Sequence, residues 1–414
     1  MPLLGLKCLR CGQNYEPTKG LYTCGKCGGK LDVTYDYEAV AAKIGKKELA
    51  RRPSGVWKYF ELLPIMDRKN IVTLGEGSTP LIHAKNLARK LRMKSLYLKD
   101  ETRNPTSSFK DRPMSVGVSK AVEFGARTVV CASSGNAAIA LSAYAAKAGI
   151  KCYTFVPVGA SVSKIAQLSM HGAIVVRPKT KGEGDPTYKL MLQSWKKFGW
   201  HPIPSGGAFN PYQPEGNKTI SYEICEQLDW QAPDWVIVPT GAGTLLSGNA
   251  KGYFEFEQLG LIEKVPRLAA IQSEGCAPIV KAFKDGTPPY EVQTWSSPKT
   301  CAGGLVDPYP WDAETAIPAI KRSKGTAVTV SDVEILEAVK SLARSEGIFA
   351  EPSGAAGFAG LRKLLKSGAI DRSDVVVVEV TGGGLKDVAT AMKMVEGPMT
   401  IEPELKQLKK FLGG

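Results

Sequence analysis

The segment DVVVVEVT, residues 374–381, carries five valines in eight positions, four of them consecutive, so whatever strand it forms must be covered on both faces. Other β-branched runs recur along the chain, each paired with an alanine-rich or amphipathic stretch. TVVCAS (128–133) precedes AAIALSAYAAKAG (137–149), and KCYTFVPV (151–158) precedes SKIAQLSMHG (163–172), with AIVVRP (173–178) after it. DWVIVPT (234–240) leads into LLSGNAKGYFEFEQLG (245–260), followed by RLAAIQSE (267–274). Short apolar runs alternating with helical patterns predict an α/β fold: a mainly parallel sheet with helices above and below.

In such sheets the functional loops leave the carboxyl ends of strands and enter helix amino termini. Three loops here hold that position. SSGN (133–136) lies between a strand and a helix. TGAGT (240–244) has glycines that let main-chain N–H groups approach an anion. TGGG (381–384) closes the most apolar strand. Each alone is compatible with a plain turn; all three on one sheet edge make a candidate site.

A fourth segment, TSSFKDR (106–112), frames a lysine. Thr106, Ser107 and Ser108 are cap-type residues and Pro113 suits a first helical turn, which sets Lys110 near a helix amino terminus. The positive end of the helix and burial beside Phe109 both disfavour an ammonium there, so Lys110 is a candidate reactive amine. The competing reading is a lysine paired with Asp111 on a solvated face.

The chain has 414 residues, 43% of them hydrophobic, enough for two or three domains with sizeable cores. Its formal charge of +14 suits nucleic acid, an acidic surface or phosphorylated metabolites, and sign alone does not choose among them. No stretch approaches the ~18 apolar residues of a membrane span, so no membrane partner and a cytoplasmic location are expected.

Four of the nine cysteines, Cys8, Cys11, Cys24 and Cys27, form C-x2-C-x12-C-x2-C. Each pair is followed by a glycine, Gly12 or Gly28, so two knuckles can present four thiolates to a structural Zn2+ in a ribbon; free thiols or a redox pair are the alternatives. The ribbon tyrosines Tyr15, Tyr22, Tyr35 and Tyr37 are as readily packing residues as nucleic-acid contacts, and nucleic acid is not the expected partner. His83, His171 and His201 fall in no motif.

The ordered segments VTLGEGSTPL (72–81), NPTSSFKDR (104–112), ASSGNAA (132–138), NPYQPEGNKT (210–219), PTGAGTLLSG (239–248), EGIFAEPSGAA (346–356) and VTGGGLKD (380–387), with the ribbon cysteines, resemble the threonine-synthase-like enzymes of the fold-type-II pyridoxal-phosphate group. The resemblance implies two doubly wound α/β domains behind a zinc-ribbon-like segment. The segment would span residues 1–36, a large pyridoxal 5'-phosphate domain 37–115 and 206–400, a small α/β domain 116–205, and a tail helix 401–414. It also implies that Lys110 holds the cofactor as a Schiff base and later shuttles protons. Asn136 would meet the ring hydroxyl, Ser133, Ser134 and Gly135 the substrate carboxylate, Gly241, Ala242, Gly243 and Thr244 the cofactor phosphate, and Thr381 the pyridine nitrogen. A hydroxyl at that nitrogen favours elimination over transamination.

The implied activity is conversion of O-phospho-L-homoserine and water to L-threonine and phosphate, by a homodimer acting on a small phosphorylated amino acid. Family members grip the substrate phosphate with a threonine, a serine, an arginine and an asparagine, where this chain has Ala137, Ala208, Gln213 and Thr244. Gln213 and Lys218 are therefore expected at the substrate, with Lys164, Arg177, Lys179 or Lys181 as further substitutes for the missing arginine. Two other readings stand beside this one. A serine or threonine dehydratase or β-replacement enzyme on an O-activated serine is favoured by Gln213; a zinc-ribbon regulatory protein on an inactive scaffold is opposed by the intact lysine, asparagine and glycine loops.

Overall fold

The computed structural model describes residues 2–179 and 185–412, so Lys181 lies outside the described residues. Thirteen strands among these form three sheets. β1 (Leu3–Cys8), β2 (Asn14–Tyr15) and β3 (Leu31–Tyr35) make a small antiparallel sheet in the order β2-β1-β3. The next strands are β4 (Leu81–His83), β5 (Ser95–Asp100), β6 (Thr128–Ala132), β7 (Lys151–Phe155), β8 (Ile174–Val176) and β9 (His201–Pro202). Last come β10 (Trp235–Pro239), β11 (Arg267–Ser273), β12 (Thr326–Val330) and β13 (Val375–Val380). The large sheet runs β12-β11-β10-β13-β5-β4, parallel except for the edge strand β4, and the smaller sheet runs β8-β7-β6-β9, all parallel.

The apolar runs are central strands because alternate residues feed separate cores. In the large sheet Val236, Val238, Leu268, Ala270 and Val377 face one core. Trp235, Ile237, Ala269, Ile271, Val376 and Val378 face the other. The small sheet does the same, with Val129 and Cys131 on one side and Val130 on the other. The ribbon is too small to bury its own apolar face, and Tyr212 of the main body completes its core beside Leu6, Leu31, Val33 and Tyr35. No helix among the described residues is long and apolar enough to cross a membrane.

Between the large sheet and its helices lies an ionic cluster built on Arg112, which has no solvent exposure. Its guanidinium donates to Glu101 (Nε to Oε2, 2.7 Å; Nη2 to Oε1, 2.8 Å) and to Glu223 (Nη1 to Oε1 and Nη2 to Oε2, both 2.7 Å). Thr79 and Thr219 accept its remaining bonds. Lys99 Nζ adds a second cation 2.7 Å from Glu223 Oε2. Burial raises the Glu223 carboxyl, but Arg112 and Lys99 outweigh it and hold the pKa down to about 2. The cluster ties β5, the helices Asp111–Glu123 and Thr219–Gln227, and the chain around Thr79 into one unit. Arg112→Met would leave two carboxylates buried with too little compensating charge. It should lower stability to chemical denaturation by about 3–5 kcal/mol.

Candidate active site

Lys110 caps the helix Asp111–Glu123. The turn before it is laced to the end of β13: Phe109 N donates to Thr381 O at 3.0 Å and Gly383 N to Ser107 O at 2.9 Å, with Ser107 in the left-handed region at φ 61°. Asp111 turns back instead, accepting from Thr106 N at 2.9 Å and Thr106 Oγ1 at 3.0 Å, so it does not pair with the lysine. Lys110 Nζ donates to Ser205 O at 2.8 Å and lies 4.9 Å from the Phe109 ring centroid. Burial pushes the amine down to about 8 against the upward pull of Asp307 and Asp312.

Lys110 opens onto a cavity of about 700 Å3. Ser133, Ser134, Gly135 and Asn136 line it from the end of β6, Gly241, Ala242, Gly243 and Thr244 from the end of β10, and Thr381 from the end of β13. The three loops predicted from the sequence thus meet at one place, between the two parallel sheets. Gly243 starts the helix Thr244–Gln258 at φ +102°, and a Cβ there would lie 2.9 Å from Ala316 Cβ. Backbone conformation and space both exclude a side chain, and the helix start keeps its free N–H groups toward the cavity wall, a seat suited to a phosphate. With an amine, a hydroxyl at Thr381 and a carboxamide at Asn136 on the same walls, the residues present fit pyridoxal 5'-phosphate.

Two predicted substrate contacts are elsewhere. Gln213 is fully buried; its Nε2 donates to Pro204 O at 3.2 Å and Gly206 O at 2.9 Å, bracing the loop that carries Ser205. Lys218 is fully buried between Glu215 (2.7 Å) and Glu255 (2.9 Å), 4.2 Å from the Tyr35 ring centroid. Neither lines the cavity. The sequence shows a charge but not its partner, and here two carboxylates remote in sequence claim the lysine. Arg177 donates to Val158 O and, like Lys179, is exposed and outside the cavity wall. Lys164 does line it and, with Lys110, is one of two basic side chains to do so among the described residues.

Sequence reasoning missed three acidic groups. Glu351 lines the cavity, accepts from Asn136 Nδ2 at 2.6 Å, and burial raises its pKa. Its segment, FAEPSGAA, was recognisable, but nothing local singled out the glutamate. Asp307, also on the wall, is pushed up to about 7 by burial and by Asp312, against Lys110. Asp312 accepts from the Thr244 hydroxyl and, at 3.0 Å, from Gly207 N. No sequence motif marked either aspartate. The histidines are packing residues outside the cavity wall: His83 stacks on Tyr97, while His171 and His201 meet the hydroxyls of Ser142 and Tyr22.

In the ribbon, Gly12 and Gly28 take φ 72° and 70°, and their N–H groups return to Cys8 O and Cys24 O, which makes the two knuckles. The four sulfurs lie within 4.8 Å of one another, with Cys8 to Cys27 at 3.5 Å and Cys11 to Cys24 at 3.6 Å. Four thiolates around a metal at ~2.3 Å stand about 3.8 Å apart, so the cluster suits a tetrahedral ion.

A family model described as pyridoxal-phosphate dependent enzyme matches residues 72–382. The threonine synthase of Methanocaldococcus jannaschii is 43% identical over 407 residues, 98% of this chain and 98% of its own length. That of Methanosarcina acetivorans is 43% identical over 412 residues, 99% and 98% of the two chains. Among solved structures, maize serine racemase superposes with a TM-score of 0.65 at 24% identity, covering 76% of this chain and 91% of that one, a likeness of fold. The chain belongs to the pyridoxal-phosphate-dependent enzymes and, within their fold-type-II group, to the threonine synthase family.

Proposed function

We propose that the chain is a pyridoxal-phosphate-dependent threonine synthase, converting O-phospho-L-homoserine and water to L-threonine and phosphate. The observation that carries this reading is full-length similarity to two threonine synthases, in a chain whose Lys110, Asn136, Gly241–Thr244 loop and Thr381 converge on one cavity.

When bound, pyridoxal phosphate supplies an electron sink for the pair left when a proton leaves the substrate's Cα. Its phosphate would be held by the main-chain N–H groups from Gly241 to Thr244, its ring nitrogen would be served by the Thr381 hydroxyl, and its ring hydroxyl would be held by Asn136, which Glu351 braces. Ser133, Ser134 and Gly135, at the start of the helix Asn136–Ala148, take the substrate carboxylate. Lys110, with an amine brought down to about 8, is neutral often enough near neutral pH to accept the Cα proton and, once it has handed that proton on and is neutral again, a Cβ proton. The Cγ–O bond breaks with its electron pair leaving on phosphate. Lys110 returns a proton to Cγ, which becomes the methyl group. It next directs water, whose hydroxyl adds at Cβ while its proton balances the one taken up by the departing phosphate, and finally the amine restores the proton at Cα.

Lys164 is the residue we assign to the substrate's phosphate, in place of the arginine that Gln213 replaces. The four ribbon cysteines would hold one structural zinc ion, their four sulfurs filling a tetrahedral site.

Purified protein given O-phospho-L-homoserine should release phosphate and threonine in equal amounts, and Lys164→Ala should raise KM for that substrate about tenfold, as loss of one charge-assisted contact implies. Keto-acid release from threonine or serine without threonine formation would instead establish a dehydratase. Metal analysis of protein purified without chelator should find about one zinc per chain; none would overturn the ribbon assignment.

A further inference from the structure

One ribbon side chain reaches a buried carboxylate behind the cavity's loops. Lys30 stands three residues after Cys27, and its backbone is fixed to both knuckles: Leu9 N donates to Lys30 O at 3.0 Å, and Lys30 forms a bridge with Thr23, next to Cys24. From there its ammonium donates to Asp312 Oδ1 and, at 3.3 Å, to Thr315 Oγ1. Asp312 has no solvent exposure. Its other oxygen accepts from the Thr244 hydroxyl and from Gly207 N, while its own N–H donates to Ala242 O at 3.1 Å. Gly207 is two residues from Ser205, whose carbonyl accepts from Lys110. One buried carboxylate therefore braces both the Gly241–Thr244 loop and the loop beside the reactive amine.

That carboxylate is also a hazard. Beside a seat for a phosphate dianion an uncompensated anion repels the ligand, and a buried charge without its partner is costly. Burial raises the Asp312 carboxyl, but Lys30, Gly207 N–H and the Thr244 hydroxyl together hold it below the usual range. A second ion pair, Arg10 to Glu314, also joins the ribbon to this region, but Arg10 is half exposed and, among the described residues, Glu314 bonds to neither loop.

We propose that Lys30 is a positioning residue for the cofactor: the four-cysteine ribbon sets Lys30, Lys30 neutralises and orients Asp312, and Asp312 shapes the phosphate loop, so that the ribbon's metal state governs cofactor retention. The proposal rests on reading the Gly241–Thr244 loop as the phosphate seat.

The test is equilibrium titration of cofactor-free protein with pyridoxal 5'-phosphate, followed by absorbance and fluorescence. Lys30→Met should weaken binding at least tenfold, Lys30→Arg should restore most of it, and Arg10→Met should stay within about twofold of the wild type. Wild-type affinity in Lys30→Met overturns the proposal. So does equal weakening by Arg10→Met, which would reduce Lys30 to a docking contact. Should Lys30→Met fail to fold, the wild-type holoenzyme decides. Chelation together with alkylation of the exposed Cys11 and Cys27 should release cofactor while the far-UV signal is unchanged, and full retention overturns the proposal. A wild-type protein that takes up no cofactor overturns the reading of the loop itself, and this inference with it.

Discussion

The Arg112 guanidinium, held between Glu101 and Glu223 with no access to water, is the contact on which the rest of the site depends. It lies two residues beyond Lys110 at the start of the same helix, so fixing the guanidinium fixes the register at which the helix begins. Its planar fork gives each of the two carboxylates a pair of bonds, a bidentate grip that a point-charge ammonium in the same position would not supply. Because Glu101 follows β5 and Glu223 sits on the helix Thr219–Gln227, the cluster also sets the distance between sheet and helix. Lys110 then emerges at one defined point above the carboxyl ends of the strands.

The cavity follows from topology. Two parallel sheets place the ends of β6, β10 and β13 around Lys110, and each contributes a loop of small residues entering a helix or turn. Small side chains are needed for reasons of space as much as of flexibility: at Gly382 an added Cβ would collide with Glu351, the residue that holds Asn136. Around these loops stand Glu351, Asp307 and Asp312, three carboxyl groups whose partners decide their charge. The Lys110 amine, lowered by burial and raised by two of them, is poised where it can both give and take a proton.

Much of this was legible in the sequence. The run 374–381 contains β13, an interior strand of the large sheet, and TVVCAS, DWVIVPT and RLAAIQSE contain β6, β10 and β11. Their periodicity is local, and the loops follow from their position after strands. What could not be read is pairing across long separations. Lys218 offered a free cation in the sequence, but Glu215 and Glu255 bury it. Thr244 stood as a loop residue, yet its hydroxyl is committed to Asp312, 68 positions away, and Lys30 reaches the same carboxylate across 282 positions. Charge and hydrogen-bonding capacity are visible residue by residue; which partner takes them is decided only when the chain has closed.

Lys110, as the amine that carries the cofactor, is the residue on which the chemistry of the whole site turns. Borohydride reduction of the holoenzyme, followed by proteolysis and mass spectrometry, fixes the cofactor to whichever lysine holds it. The structure predicts a single phosphopyridoxyl group on Lys110, in the peptide containing TSSFKDR. The label on another lysine, with Lys110 unmodified, would contradict it.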